Sequence, residues 1–304
     1  MTQRYLDPTN DVAFKKIFGD KAKMKDFLNA ILHLPDGAKI AELSFIPTEE
    51  VPEVGQGKRS IFDLRCRDER GKTYIVEMEN RQEAHFLERA QFYGSHTYVS
   101  QLSVGKLHTE LLPVIVVAIS KRKLFPKELS YISHHTTRDK QTNQQHLCAL
   151  SYVFIELPKF KKKAEELRTI EDFWIFFLSK SEQMKEPPKT IDDKFVLDAY
   201  KAIEQFNWSK EEYDAYLRAR LLVEAEESTL EESHQEGIRK GIEKGKIEGK
   251  IEGKIEGKIE REELKAREIA IEMLREGLEI GLISRITGLS VSEVEALKIR
   301  GDKH

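Results

Sequence analysis

Three acidic side chains occur close together in an otherwise apolar stretch of the sequence. Asp63 lies where apolar and polar residues alternate, and Glu77 and Glu79 follow in a second apolar stretch. The residues between them, Asp-Glu-Arg-Gly at 68–71, are typical of a turn, so residues 60–79 are predicted to form a β-hairpin. Neighbouring strands lie about 5 Å apart and residues two apart share a face, so the three carboxylates can converge. Oxygen ligands of this kind suit Mg²⁺, with Mn²⁺ as a substitute.

A simpler interpretation is that these acids lie on an exposed face and pair with the cations Arg65, Arg67 or Lys72. It is the better interpretation for any single carboxylate, because 53 acidic residues in the chain make chance clusters common. It is the weaker one for three acids inside an apolar hairpin, because they would repel one another unless a cation lay among them. The acidic pattern alone is therefore a weak indication of a metal site.

The elements around the hairpin predict an α/β fold with a mixed sheet flanked by helices. In order they are a helix capped by Thr9 or Asn10, a helix at 24–32, a strand at 40–46, the hairpin, an amphipathic helix at 83–102, and strands at 113–119 and 150–157. The last two strands are continuous apolar runs, as expected for a sheet that is covered on both faces.

The character of the chain changes after this predicted core of residues 1–158. Residues 159–230 have an all-helical pattern, and their aromatic residues are predicted to pack on the core. Residues 231–260 carry a repeat, and residues 261–304 are predicted to form a small helical module. The α/β core is therefore followed by an all-helical C-terminal region.

Glycines recur at every fourth position from Gly237 to Gly257, mostly within a Gly-Lys-Ile-Glu repeat. Four residues advance about 400° around an α-helix, so each row of side chains drifts by about 40° per repeat. Each interior glycine costs about 1 kcal/mol relative to alanine, which makes an isolated helix unfavourable. We favour a semi-flexible linker here. The alternative is a helix that is stable only in an oligomer, where the glycine row permits close approach.

Residues 283–298 have the outline of a helix-turn-helix, with a turn at Gly288 and a serine cap before the second helix. The nearby cations are few, namely Arg285, Lys298 and Arg300. A helix that reads DNA usually presents more positive charge to the groove. The pattern therefore favours an assembly or capping module over a DNA-reading one.

Composition limits the class of protein. The net charge of −3 shows no global basic field, so contact with nucleic acid must come from local patches. The two cysteines, Cys66 and Cys148, indicate a reducing compartment and argue against a disulfide scaffold. The longest apolar run, residues 111–119, is too short to span a bilayer. We therefore expect a soluble, cytoplasmic protein without a membrane partner.

Three segments of the first half of the chain carry a family resemblance: DPTNDVAFKKIFGD, FDLRCRDERGKTYIVEMEN, and HFLERAQFYGSHTYVSQL followed by PVIVVAIS. Together they resemble the Rpn family, bacterial recombination-promoting nucleases of the PD-(D/E)XK superfamily that are also described as transposases. The repeat and its TGLS-containing tail are similar to tails of that family. The resemblance implies a restriction-endonuclease-like core and Mg²⁺-dependent cleavage of DNA.

The resemblance also implies roles for single residues. Asp63 corresponds to the motif aspartate and Glu77 to the acidic residue of (D/E)xK, so both are expected to hold the metal and to take part in catalysis. Glu79 occupies the lysine position, where an anion cannot stabilise charge at the phosphate; it could bind a second metal or act as general base. Asp11 matches an acidic position that completes the metal site, and it equally suits the dipole of the first helix.

The expected reaction is in-line attack of water on a DNA phosphodiester, with neighbouring cations gripping the backbone. The candidate cations are Lys15, Lys16, Lys58, Arg59, Arg81 and Arg89, of which Arg81 and Arg89 are preferred. Two other functions stay open. One is a catalytically weak protein of the same fold that binds nucleic acid or a partner, and the other is an oligomeric scaffold. The predicted partners are DNA and further copies of the chain, joined through the C-terminal helical region.

Overall fold

The protein was examined as a computed structural model. The structure describes residues 4–35, 37–46, 64–79, 85–102, 105 and 107–301, and for residues 298–301 only the backbone. By contact clustering the chain divides into two compact units, residues 1–228 and 229–304.

Within the described residues, six strands form one mixed sheet in the order β1-β2-β3-β4-β6-β5. The strands are β1 (Leu43–Phe45), β2 (Leu64–Asp68), β3 (Thr73–Glu79), β4 (Val114–Ser120), β5 (Ile132–Thr136) and β6 (Leu150–Glu156). β3, β4 and β6 run parallel, while the outer pairs are antiparallel. The predicted hairpin is present, and the carboxyl ends of the three central strands meet at one edge of the sheet.

The central strands are buried on both faces, as their continuous apolar runs predict. Tyr74, Val76 and Met78 of β3 belong to the larger hydrophobic cluster, which lies on one face. Ile75 belongs to a smaller cluster with residues of α3 (Phe86–Val99), which covers the other face. Side chains alternate along a strand, so Glu77 and Glu79 lie on the α3 face with Ile75.

The larger cluster joins the N-terminal helices to the helical extension. It contains residues of α1 (Asp11–Phe18), α2 (Lys21–Ile31), α4 (Ile170–Lys180), α5 (Lys194–Ala202) and the start of α6 (Lys210–Arg275). Trp174 of α4 is fully buried, and its indole N–H donates to the Asp26 carboxylate of α2 at 2.8 Å. The extension therefore packs on the same core as the first two helices.

Two differences from the predicted elements stand out. β5 is absent from the prediction, because its sequence Ile-Ser-His-His-Thr combines a short length with polar residues that suit an edge strand. The first strand is only three residues long, where seven are predicted. The hydrophobic runs of the central strands are long enough to be recognised in the sequence. The short edge strands β1 and β5 are not.

The repeat lies inside one continuous helix, α6, which differs from the semi-flexible linker favoured by its glycine content. Ion pairs one turn apart, such as Lys244 with Glu248 and Lys258 with Glu262, support the helix. Exposed pairs of this kind contribute about 0.3–0.5 kcal/mol each, less than one glycine costs. The isoleucines of the repeat stay about half exposed, at 52–55% for residues 247, 251, 255 and 259.

The C-terminal module consists of the end of α6, α7 (Ile280–Thr287) and α8 (Val291–Gly301). Ala270, Ile283 and Val294, one from each helix, form its small core with Leu289. Gly288 ends α7 in the left-handed conformation that the predicted turn requires. The helix-turn-helix outline is thus confirmed as a structural unit. No helix in the described part of the chain has both the length and the apolar composition of a membrane span.

Candidate active site

Glu77 lies near the carboxyl end of β3, on the face covered by α3. Glu77 is 8% exposed, and it is paired with Ala118 of the parallel strand β4. The residue before it, Val76, pairs with Leu64 of β2. Asp63, the residue before Leu64 in the sequence, lies outside the described residues. Of the two carboxylates predicted from the hairpin to hold the metal, the structure therefore describes Glu77 only.

Glu79 is the last residue of β3 and is held by Ser120, the last residue of β4, and by Arg122 just after it. The Ser120 hydroxyl donates to one carboxylate oxygen of Glu79 at 2.6 Å, and the Arg122 guanidinium forms an ion pair with the other. The backbone N–H of Arg122 in turn donates to the Ser120 hydroxyl at 3.0 Å. The Glu79 side chain is 1% exposed, so its charge needs this compensation. The cations expected to pair with it from the sequence, Arg65, Arg67 and Lys72, are not the ones that hold it here.

The helix α3 brings Arg89 and Tyr93 toward Glu77. Burial raises the pKa of the Tyr93 hydroxyl, Arg89 opposes this rise, and the Glu77 carboxylate adds to it. Arg89 and Glu77 thus both act electrostatically on the Tyr93 hydroxyl of α3. Arg89, which also lies over the Phe86 ring at 5.5 Å from its centroid, is therefore well placed among the predicted backbone-binding cations.

The remaining predicted residues are distributed differently. Asp11 is half-buried in the first turn of α1, whose N-terminus is capped by Asn10. Lys15 is exposed, whereas Lys16 pairs with Glu212 and lies 4.8 Å from the centroid of the Trp208 ring. Lys16 thus has a structural contact that ties α1 to α6. Lys58, Arg59 and Arg81 lie outside the described residues.

The residues that the structure describes do not form a complete metal-binding site by themselves. Among them, no group of three or more histidine, cysteine, aspartate or glutamate side chains lies close enough to hold an ion. Carboxylates of the kind present at Glu77 suit Mg²⁺ or Mn²⁺ rather than zinc. The convergence of Asp11, Asp63 and Glu77 on one ion stays a prediction.

The segment that follows β4 contributes residues that the sequence did not predict for the site. Lys121 pairs with Asp7 at 3.1 Å, and the Glu156 carboxylate at the end of β6 accepts the backbone N–H of Leu124 at 2.6 Å. Lys159, itself 2.7 Å from Glu156, donates to a carbonyl of the same segment. The basic run Lys-Arg-Lys directly after a buried parallel strand was the available signal, since such strand ends share the edge where Glu77 and Glu79 lie.

Comparison with protein families gives a match over residues 8–233, more than two thirds of the chain, to the model described as PD-(D/E)XK nuclease family transposase. The chain belongs to this family. The mixed sheet flanked by helices is accordingly a PD-(D/E)XK, restriction-endonuclease-like fold, which confirms the predicted fold class and the resemblance.

A second family model covers the C-terminal module of this PD-(D/E)XK protein. Residues 263–299 match the C-terminal HTH domain of the Rpn/YhgA-like nuclease family. The match agrees with the three helices that surround Ile283. Searches among curated proteins and among solved structures give no match.

Proposed function

We propose that the protein is a Mg²⁺-dependent DNA endonuclease that hydrolyses phosphodiester bonds. The observation that carries the proposal is the Glu77 carboxylate, buried at the carboxyl end of β3 within the segment that matches the PD-(D/E)XK family. Strand ends at this edge of an open α/β sheet are a common place for a ligand site. Arg89 of α3 acts on the same Tyr93 hydroxyl as Glu77, and Arg122 brings positive charge to Glu79, two residues further along β3.

The carboxylates present fit a hard divalent cation. Glu77 is a buried carboxylate on the α3 face of β3, two residues after Ile75 of the smaller cluster. The charge of Glu79 is already balanced by Arg122, which leaves Asp63, Glu77 and Asp11 as the proposed ligands of Mg²⁺. When bound there, a divalent cation would make a nearby water more acidic and offset charge on the phosphate; Mn²⁺ would serve as a substitute.

The chain's own cations would bind and orient the DNA. Lys15, Arg59, Arg81 and Arg89 are proposed to contact backbone phosphates without reading sequence, and Lys16 joins them only if its pairing with Glu212 opens. In the reaction a water oxygen forms a bond to phosphorus, the bond from phosphorus to the leaving oxygen breaks, and the water proton leaves to a base. The few cations of the C-terminal module favour an assembly role, but its match to a helix-turn-helix domain supports the proposal that it adds a second DNA contact.

The proposed setting is the cytoplasm, in recombination, movement of mobile elements or defence against foreign DNA. Cys66 and Cys148 are both free thiols, which agrees with a reducing compartment. The family description as transposase agrees with a role on mobile DNA.

Supercoiled plasmid provides the direct test. Purified protein should nick or linearise it as Mg²⁺ or Mn²⁺ is added, and chelation should stop the reaction. Asp63→Ala and Glu77→Ala should each lower the rate by at least about 100-fold, because each removes a ligand. Cleavage that persists unchanged in both variants would point to a contaminant or another site, and the proposal would be wrong.

A catalytically weak binding protein is the alternative, and the acid at the lysine position of the motif is its basis. That protein would shift DNA in a gel without cutting it at any metal concentration. Binding without turnover in the wild type would therefore select this alternative over the endonuclease.

A homo-oligomer formed through the C-terminal helical region is proposed as the working assembly. The half-exposed isoleucine row of α6 supports it, because an apolar row on a glycine-rich helix gains stability by packing on another helix. Light scattering after size exclusion should show several chains for the intact protein and one after deletion of residues 231–304. An unchanged number of chains after deletion would rule out association through this region.

A further inference from the structure

The ion pair between Glu79 and Arg122 joins the ends of two parallel strands. Glu79 pairs with Ser120 in the register of β3 and β4, so Arg122 lies just beyond that pair and reaches back to the carboxylate. The Ser120 hydroxyl bridges the two residues, donating to Glu79 and accepting the Arg122 N–H. The guanidinium thus binds Glu79 directly, and Ser120 links the Glu79 carboxylate to the Arg122 backbone.

The two partners differ in exposure. The Glu79 side chain is 1% exposed, whereas the Arg122 side chain is 38% exposed. A guanidinium has five N–H donors in a planar fork, so it can bind more than one acceptor at a time. The Glu79 carboxylate therefore holds the cation from a buried position, while part of the Arg122 side chain is accessible to solvent.

The site of Arg122 is next to the proposed reaction centre. Glu77 and Glu79 lie two residues apart on one face of β3, which corresponds to about 7 Å along the strand. A phosphodiester group beside Glu77 would thus lie within reach of a cation held at Glu79. Arginine suits this task because it stays charged and can bind two phosphate oxygens in parallel.

We propose that Arg122 binds the phosphate that is cleaved and so supplies, from β4, the positive charge that the acid at position 79 cannot. Glu79 and Ser120 are then positioning residues that hold the guanidinium in place. The inference rests on the proposed function, and it gives Glu79 a role other than general base. It also explains how an acid at the lysine position is compatible with a working site.

A charge-relocation experiment tests the proposal. Arg122→Ala should lower kcat on plasmid about 100-fold, the scale of losing one preorganised charge donor, with a smaller change in KM. The double variant Glu79→Lys with Arg122→Ala places the cation directly on β3 and should recover most of that loss. Lys123→Ala, one residue along the same exposed segment, is the matched control and should keep kcat within about threefold of the wild type.

The experiment needs a separate control for folding, because Arg122→Ala alone leaves a buried acid without this ion pair. Glu79→Gln with Arg122→Ala removes both charges and should unfold within a few degrees of the wild type while cleaving about 100-fold more slowly. A folded protein of this kind that cuts at the wild-type rate would overturn the proposal. So would a folded Glu79→Lys, Arg122→Ala protein that is no faster than Arg122→Ala.

DNA binding in excess EDTA separates this proposal from the endonuclease proposal. A lost phosphate contact lowers the slope of log affinity against log salt by about 0.9, so Arg122→Ala should show that decrease and Arg122→Lys should not. If the wild type binds DNA but does not cut it, the endonuclease proposal fails while this slope still decides whether Arg122 holds a phosphate. An unchanged slope in Arg122→Ala would overturn the phosphate contact.

Discussion

Gly94 of α3 and Gly249 of α6 are both glycines inside helices, but their surroundings are opposite. A Cβ added at Gly94 would lie 3.1 Å from Val116 Cγ2 and 3.2 Å from the Tyr152 hydroxyl. At Gly249 it would meet nothing within 4 Å. In α3 the missing side chain lets the helix approach the sheet closely, whereas in α6 the glycine has no such packing role in the described chain.

The comparison shows where helix stability comes from in the two units. An interior glycine costs about 1 kcal/mol relative to alanine in either place. In α3 the close packing over Val116 and Phe154 offsets that cost. Along the repeat only exposed ion pairs act within the chain, and they are too weak to do so. The repeat helix therefore gains less from the rest of its own chain than α3 does, and packing on another chain would stabilise it more.

The largest difference in the free energy of unfolding is expected between substitution of a core residue of the first unit and substitution of an isoleucine of the repeat. Trp174→Ala should lower the free energy of unfolding by about 3–5 kcal/mol, because it leaves a cavity in the larger cluster. Ile251→Ala should change it by less than about 0.5 kcal/mol at protein concentrations low enough to separate the chains, because the residue is half exposed within one chain. Urea denaturation of both variants measures the contrast. Similar losses would show that the repeat has a core of its own.

Gly94→Ala should give the next largest effect, a loss of about 1–3 kcal/mol, because the added methyl group crowds Val116 and Tyr152. Thermal unfolding followed by circular dichroism provides the measurement. Gly249→Ala is the control, with the same substitution in open space. A Gly94→Ala protein as stable as the wild type would mean that α3 moves away from the sheet without penalty.

Alanine at two repeat glycines, Gly249 and Gly253, should stabilise α6 by about 1 kcal/mol per site through helix propensity. The expected readout is a higher mean-residue ellipticity at 222 nm with an unchanged molar mass in solution. A fall in molar mass would show that the glycine row lies close to a second chain, and the repeat glycines would then have a packing role as Gly94 does.

The smallest effect is expected from His135, which stacks on Phe125 with ring centroids 4.8 Å apart. Burial lowers the pKa of His135, although the Glu156 carboxylate opposes that shift. A group with a depressed folded pKa binds its proton first in the unfolded state, so stability falls as the pH drops below about 6.5.

His135→Gln should therefore reduce the loss of thermal stability between pH 7.5 and pH 5.5, by about 1 °C. His146→Gln, at an exposed position, is the control and should behave like the wild type. A pH dependence that is identical in the wild type and His135→Gln would contradict the effect.

The sequence was informative where burial is continuous and where chemistry is local. The apolar runs of β3, β4 and β6 are long enough to be recognised, and the acidic residue Glu77 lies within one of them. The pairing of Glu79 with Arg122 was not predictable, because it depends on the parallel register between strands that lie 41 residues apart at Glu79 and Ser120. In strands that are apolar on both faces, the alternation that would specify the register is missing.

The C-terminal helix-turn-helix was predictable for a different reason. Gly288 and the serine cap at Ser290 are local signals that do not need a distant partner, and both have the predicted roles. The conformation of the repeat depends instead on opposing contributions of about 1 kcal/mol each, from glycine and from side-chain pairs. Local sequence rules do not predict which of them prevails.

The outer strands of the sheet also affect how copies of the protein can meet. In the part of the sheet that the structure describes, one margin is the three-residue β1 and the other is β5, which carries two adjacent histidines. Short or polar margins of this kind discourage strand addition and amyloid-like growth. Crowded or concentrated protein should therefore stay dispersed or join through helices, and fibrils that bind thioflavin should be slow to appear.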